Sequence, residues 1–210
     1  ANTDGIVVKY PKWAQDKVHE QVNMFSDISK FLFDFTSYRV LAMKDVNNYI
    51  AVKPDRSLKV KGIYAPLSLR KNPTAQVCSD AVGAWLSNGV PLGESIYKAP
   101  FKDFISARNV TGGGKQLGKY LGKVVRWYQS TESLEPIRYY KNDNKVPKSD
   151  GARACMTVND FVKHPSDLDY NWYHKEAIKI AVAVGASDYL TQSELDIVAP
   201  VAKKRKRNAA

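Results

Sequence analysis

The sequence predicts an α+β fold: a mainly β segment up to about residue 64, followed by a mainly helical one. Three observations carry this expectation. Residues 38–46 and 47–64 ("YRVLAMKDV" and "NNYIAVKPDRSLKVKGIY") read as strands, and Pro54-Asp55-Arg56-Ser57 has the composition of a hairpin turn between two of them. From about Pro66 the apolar residues switch to helical spacing. No internal repeat is visible.

The first residues leave two readings open. Asn2-Thr3-Asp4-Gly5 has the composition of a hairpin tip, and Ile6-Val7-Val8 reads as a strand leaving it. Only one of the two strands such a tip needs is in this sequence. Either a frayed terminus enters a strand, or Asp4 belongs to a site whose other half lies on another chain. Val18, Val22, Phe25, Ile28 and Leu32 then recur at three- and four-residue steps, as on an amphipathic helix. Farther on, Ala81, Val82, Trp85 and Leu86 form an apolar helical face that starts near Ser79 or Asp80 and stops at Gly89. Pro91 suits the first turn of a short helix running through Ile96. Ala177, Ile180, Ala181 and Val184 make a last stripe, closed by Gly185.

Bulk properties narrow the function classes. A chain of 210 residues with 44% hydrophobic content can bury a core as one or two domains. No apolar run approaches the roughly 18 residues of a membrane span, and no signal peptide is visible. Cys78 and Cys155 lack metal-like spacing and are expected to be reduced, inert thiols in a cytoplasmic setting. His19, His164 and His174 form no metal or triad motif. The 32 Lys and Arg outnumber the 21 Asp and Glu, for a net charge of +11. Five of those charges sit in Lys203-Lys204-Arg205-Lys206-Arg207, a tail expected to be solvated, leaving six elsewhere. That excess favours a polyanionic partner, nucleic acid before membrane, because no long basic amphipathic helix appears.

Three stretches are candidates for binding or chemistry. In "SLKVKGIY", Lys59 and Lys61 share one strand face while Leu58 and Val60 share the other. Such a pair is either a solubilising edge or a phosphate track, since phosphates accept point charges without bidentate geometry. In "ARNVTGGGKQLGKYLGKVVRWYQ", Arg108 and three glycines precede Lys115, Lys119, Lys123 and Arg126, with Tyr120, Trp127 and Tyr128 interleaved. The glycine triplet lacks P-loop and dinucleotide spacing. It is either a flexible loop or one whose bare backbone approaches a nucleic-acid strand. Asp167 and Asp169, in "DLDYNWYHKEA", could ligate a metal, but capping and first-turn positions of the next helix explain them more simply.

Taken in order, "NTDG", "DVNNY", "KVKG", "KNPTAQVCSDAVGAWLSNGVPLGESI", "GKVVRWY" and "DLDYNWYHKEA" resemble the C-terminal part of family B DNA polymerases of bacteriophage type. The resemblance covers about residues 1–190 and implies residues 1–64 as the end of a palm, 65–200 as a thumb and 201–210 as a basic tail. The family's third palm motif is a hairpin-tip Asp-Thr-Asp-Ser. "NTDG" is similar at Thr3 and at the metal-binding aspartate, Asp4, with Asn2 and Gly5 as departures. The family's Lys-x-Tyr motif, which holds the primer end, is matched best by Asn47-Asn48-Tyr49, with asparagine in place of lysine. "LKVKG" is similar to the Lys-rich strand leading into the thumb and places Lys59, Lys61 and Gly62.

The resemblance implies DNA-directed nucleotide addition with two magnesium ions roughly 3.5–4 Å apart. One carboxylate cannot hold both, so at least one more is needed. In the family it comes from an earlier palm motif, and a Lys- and Tyr-bearing fingers helix holds the incoming deoxynucleoside triphosphate. Neither motif occurs in these 210 residues. The implied partners are therefore primer–template DNA and an N-terminal polymerase chain carrying exonuclease, fingers and the remaining palm. Three function classes stay open: a catalytic portion of a split polymerase, a non-catalytic DNA-gripping module, and a structural interaction protein with an incidental basic face.

Overall fold

A computed structural model describes residues 6–66, 74–132, 134–155 and 164–199. Asp4 and the basic tail lie outside them, so the hairpin-tip reading of Asn2-Thr3-Asp4-Gly5 does too.

The fold is mixed α and β with antiparallel sheets. Helix α1 (Gln15–Ser29) follows a short 3-10 turn at Lys12–Ala14, and it ends where Lys30 turns left-handed and donates its N–H to Ser26 O at 2.8 Å. The helical stripe expected there is real up to Ile28, but Leu32 lies beyond the helix and is 98% exposed. The strand expected at Ile6-Val7-Val8 is absent, and all three side chains are exposed. No neighbouring strand within the described residues satisfies that backbone, and a lone extended segment gains nothing from β-branching alone.

Strands β1 (Val40–Asp45), β2 (Asn48–Val52) and β3 (Leu58–Lys61) form one meander in that order. The Pro54-Asp55-Arg56-Ser57 turn falls where the composition put it. Asp55 Oδ1 accepts from the Ser57 N–H at 2.9 Å and from its hydroxyl at 2.7 Å, the local bonding that makes aspartate a turn residue.

Beyond residue 74 come α2 (Gln76–Asn88), α3 (Leu92–Lys98), β4 (Ser106–Gln116), β5 (Lys119–Gln129), β6 (Arg138–Tyr139), β7 (Ala152–Ala154), α4 (Tyr170–Ala183) and α5 (Gln192–Val198). Gly89 ends α2, Pro91 precedes α3, and Gly185 turns left-handed just past α4. Helices hold more of these residues than strands do, but the segment also carries a sheet that the helical spacing did not announce. Its central element is the long β4–β5 hairpin, extended to the order β6-β4-β5-β7.

One apolar core gathers Ala42 and Ile50 of the meander with Val77, Ala81, Val82, Leu92, Ile96, Phe104, Tyr173 and Ile178. A second core, with Val110, Val125, Trp127, Ile137 and Val146, lies within the four-stranded sheet. Tyr173 links them: its hydroxyl donates to Phe104 O at 2.9 Å and accepts from the Gln129 N–H at 2.8 Å. Both cysteines are buried and outside any disulfide, and burial raises the Cys78 pKa. No helix among the described residues is long and apolar enough to cross a membrane.

Candidate nucleic-acid interface

The meander brings three of the sequence-derived candidates onto one surface. Tyr49 pairs with Lys61 and Ala51 with Lys59, while Ile50 opposite Val60 faces the core. Alternation therefore places Tyr49, Lys59 and Lys61 on the other face of the sheet. Tyr38, which sequence reading did not single out, joins them: the Lys59 ammonium lies 5.8 Å from its ring centre. Hydrogen bonding and charge interaction with Tyr38 raise the Lys59 pKa.

The β1–β2 turn is fixed to the end of β3. Asp45 Oδ1 accepts from the Asn47 N–H at 2.9 Å and from Asn48 Nδ2 at 2.8 Å. These bonds, that from the Asn48 side chain foremost, hold the Asp45 pKa below its ordinary value. Asn48 Oδ1 in turn accepts from the Ile63 N–H at 2.9 Å. Gly62 makes the approach possible: at φ +70° its missing Cβ would sit 2.2 Å from Asn47 O and from Asn48 Oδ1. Gly62→Ala is therefore expected to cost about 2–3 kcal/mol in urea denaturation, through backbone strain and displacement of this turn. An alanine variant as stable as the parent would contradict that role.

The hairpin separates the other candidates. Arg126 pairs with Ala107, and Arg108 pairs with Val125. Adjacent residues of a strand point to opposite faces, so Arg108 and Arg126 do not share a surface. Lys119 and Lys123 are exposed near the tip, whereas Lys115 is held by Asp143 at 2.8 Å and is half-buried. Gly112-Gly113-Gly114 is no loop. It lies inside β4, and its register shifts against β5 between Asn109 and Lys115. A Cβ on Gly113 would meet the Tyr120 ring at 2.3 Å and one on Gly114 would meet Val125 at 2.7 Å. Close packing of the chain's own side chains, not approach of a ligand, explains this part of the triplet.

Asp169 does cap α4, accepting from the Trp172 N–H at 3.0 Å. Asp167 does something the spacing did not show. Its carboxylate accepts from Tyr128 Oη at 2.9 Å, Ser130 Oγ at 2.6 Å and Arg153 Nε at 2.6 Å, tying β5 and β7 to the start of α4. Burial alone would raise its pKa, but the hydrogen bonds from Ser130, Tyr128 and Arg153 outweigh it and hold the carboxylate below its ordinary value. The three donors lie 14 to 39 residues away in sequence, which no local pattern reveals. Among the described residues no group of three or more His, Cys, Asp or Glu is placed to hold a metal ion. Comparison of the chain with protein-family models, with curated proteins and with solved structures finds no match.

Proposed function

We propose that the chain is the C-terminal portion of a DNA-directed DNA polymerase, in which Asp4 is a catalytic metal ligand and the basic surfaces grip primer–template duplex. The observation that supports this most is the joining of two stretches that carried the resemblance. The "DVNNY" turn is closed onto the "KVKG" strand through Asn48 and Gly62, so Tyr49, Lys59 and Lys61 form one basic, aromatic face. Lysines on an exposed face suit phosphates, and tyrosines beside them suit sugars and bases.

The resemblance makes Asp4 this chain's magnesium ligand, and the proposed partner polypeptide supplies the second carboxylate. Bound magnesium would stabilise the attacking 3′-oxygen and the leaving pyrophosphate. We propose that the polypeptide supplying the rest of the palm, the fingers and the exonuclease also covers residues 6–35. There Ile6, Val7, Trp13, Phe25, Ile28, Phe31 and Leu32 are each more than half exposed, an apolar surface of the kind that marks an interface.

Lys59→Ala and Lys61→Ala test the grip. Each is expected to weaken duplex binding for all sequences about equally and to reduce the slope of log K against log salt by about one unit. Loss confined to particular base sequences would contradict a backbone grip.

A further inference from the structure

We propose a discrete phosphate-binding site around Arg108, in a cavity of about 220 Å³ lined by Thr74, Ala107, Arg108, Trp127, Pro147 and Lys148. Its occupant is one backbone phosphate of a nucleic acid, an identification that rests on the polymerase reading above.

The cavity differs from its surroundings in how its charges are partnered. Nearby, Lys115, Arg138, Lys145 and Arg153 each face a carboxylate within 4.0 Å. Arg108 and Lys148 have no ion pair among the described residues, and none of the six lining residues is acidic. Two cationic residues thus line one small concave site with no carboxylate paired to either among the described residues. A guanidinium fork and an ammonium together match the paired non-bridging oxygens of a phosphodiester.

Lys148 is also fixed in an uncommon backbone conformation. Its φ is +64°, in the left-handed region that few lysines adopt. The next residue, the fully buried Ser149, anchors the turn through its hydroxyl to Val146 O at 2.7 Å and Ile137 O at 3.2 Å. The Lys148 carbonyl accepts from Gln129 Nε2 at 3.4 Å. Such strain persists only where surrounding structure enforces it, and here it fixes the backbone of a residue that lines the same cavity as Arg108. Trp127 forms the wall. It is 3% exposed, and its indole N–H is the one buried side-chain donor among the described residues that finds no acceptor. That nitrogen has almost no accessible surface, so Trp127 serves the cavity as an aromatic wall and not as a donor to its occupant.

The test uses the full chain at low salt with two probes, a short fluorescent DNA duplex and inorganic phosphate. Arg108→Gln and Lys148→Gly are the variants; glycine at 148 keeps the left-handed backbone, so the fold is preserved. Each is expected to lower the salt slope of duplex binding by about one unit without changing the melting temperature, and Arg108→Lys to restore it. Duplex binding should also shift the Trp127 indole N–H signal in NMR. Unchanged slopes with the duplex still bound would overturn the cavity site and leave the polymerase reading standing. An indole shift with inorganic phosphate but no duplex binding would overturn the nucleic-acid occupant and that reading together. Binding of neither probe would overturn both.

Discussion

Asp4→Ala is expected to abolish nucleotide addition by the assembled polymerase, by about a thousandfold or more, while affinity for primer–template duplex stays within about twofold. Metal-assisted stabilisation of the attacking and leaving oxygens contributes several kcal/mol, and each 1.36 kcal/mol is a factor of about ten in rate. In the proposed function duplex affinity comes instead from phosphate contacts on the meander and hairpin, none of which uses Asp4. Steady-state primer extension and duplex binding on one preparation separate the two effects. Parallel loss of both would assign Asp4 to the fold; retained extension would return the chain to the class of DNA-gripping modules.

The largest expected effect on stability is at Asp167. Asp167→Ala strips the Tyr128 hydroxyl, the Ser130 hydroxyl and the Arg153 guanidinium of a shared acceptor where the end of β5 meets the start of α4. Leaving a partly buried cation and two hydroxyls without that partner is expected to cost about 3 kcal/mol. The pH dependence gives a second check. Because the folded carboxylate has a depressed pKa, its contribution is fully present above the unfolded value of about 3.9 and is lost as pH falls through the folded value. The stability gap between the parent and Asp167→Asn should therefore be constant near neutrality and shrink on acidification below about pH 4. A gap that widens in acid would contradict the assignment.

The contrast between Asp169 and Asp167 shows what the sequence made legible. A cap is local: Asp169 lies three residues before its donor, Trp172, so spacing alone identifies it. The same holds for the Asp55 turn, the Gly89 stop and the two strands around Pro54. Asp167 collects its donors from two distant strands, and nothing in its neighbourhood announces them. Strand β4 was illegible for a related reason. Three consecutive glycines weaken any local strand signal, and only the facing Tyr120 and Val125 show why side chains are excluded there. For the candidate interface, alternation correctly put Lys59 and Lys61 on one face, opposite Val60. Tyr38 lies outside the strands, where alternation does not apply, and the separation of Arg108 from Arg126 depends on the hairpin register.

The central claim is that this chain provides part, and only part, of a polymerase active site. Primer extension in magnesium tests it most directly, with the purified 210-residue chain assayed alone and again with a polypeptide supplying the proposed remaining palm and fingers. The account expects no extension by the chain alone, and template-directed, magnesium-dependent extension once the remaining palm and the fingers are present. Primer extension by the 210 residues alone would contradict it.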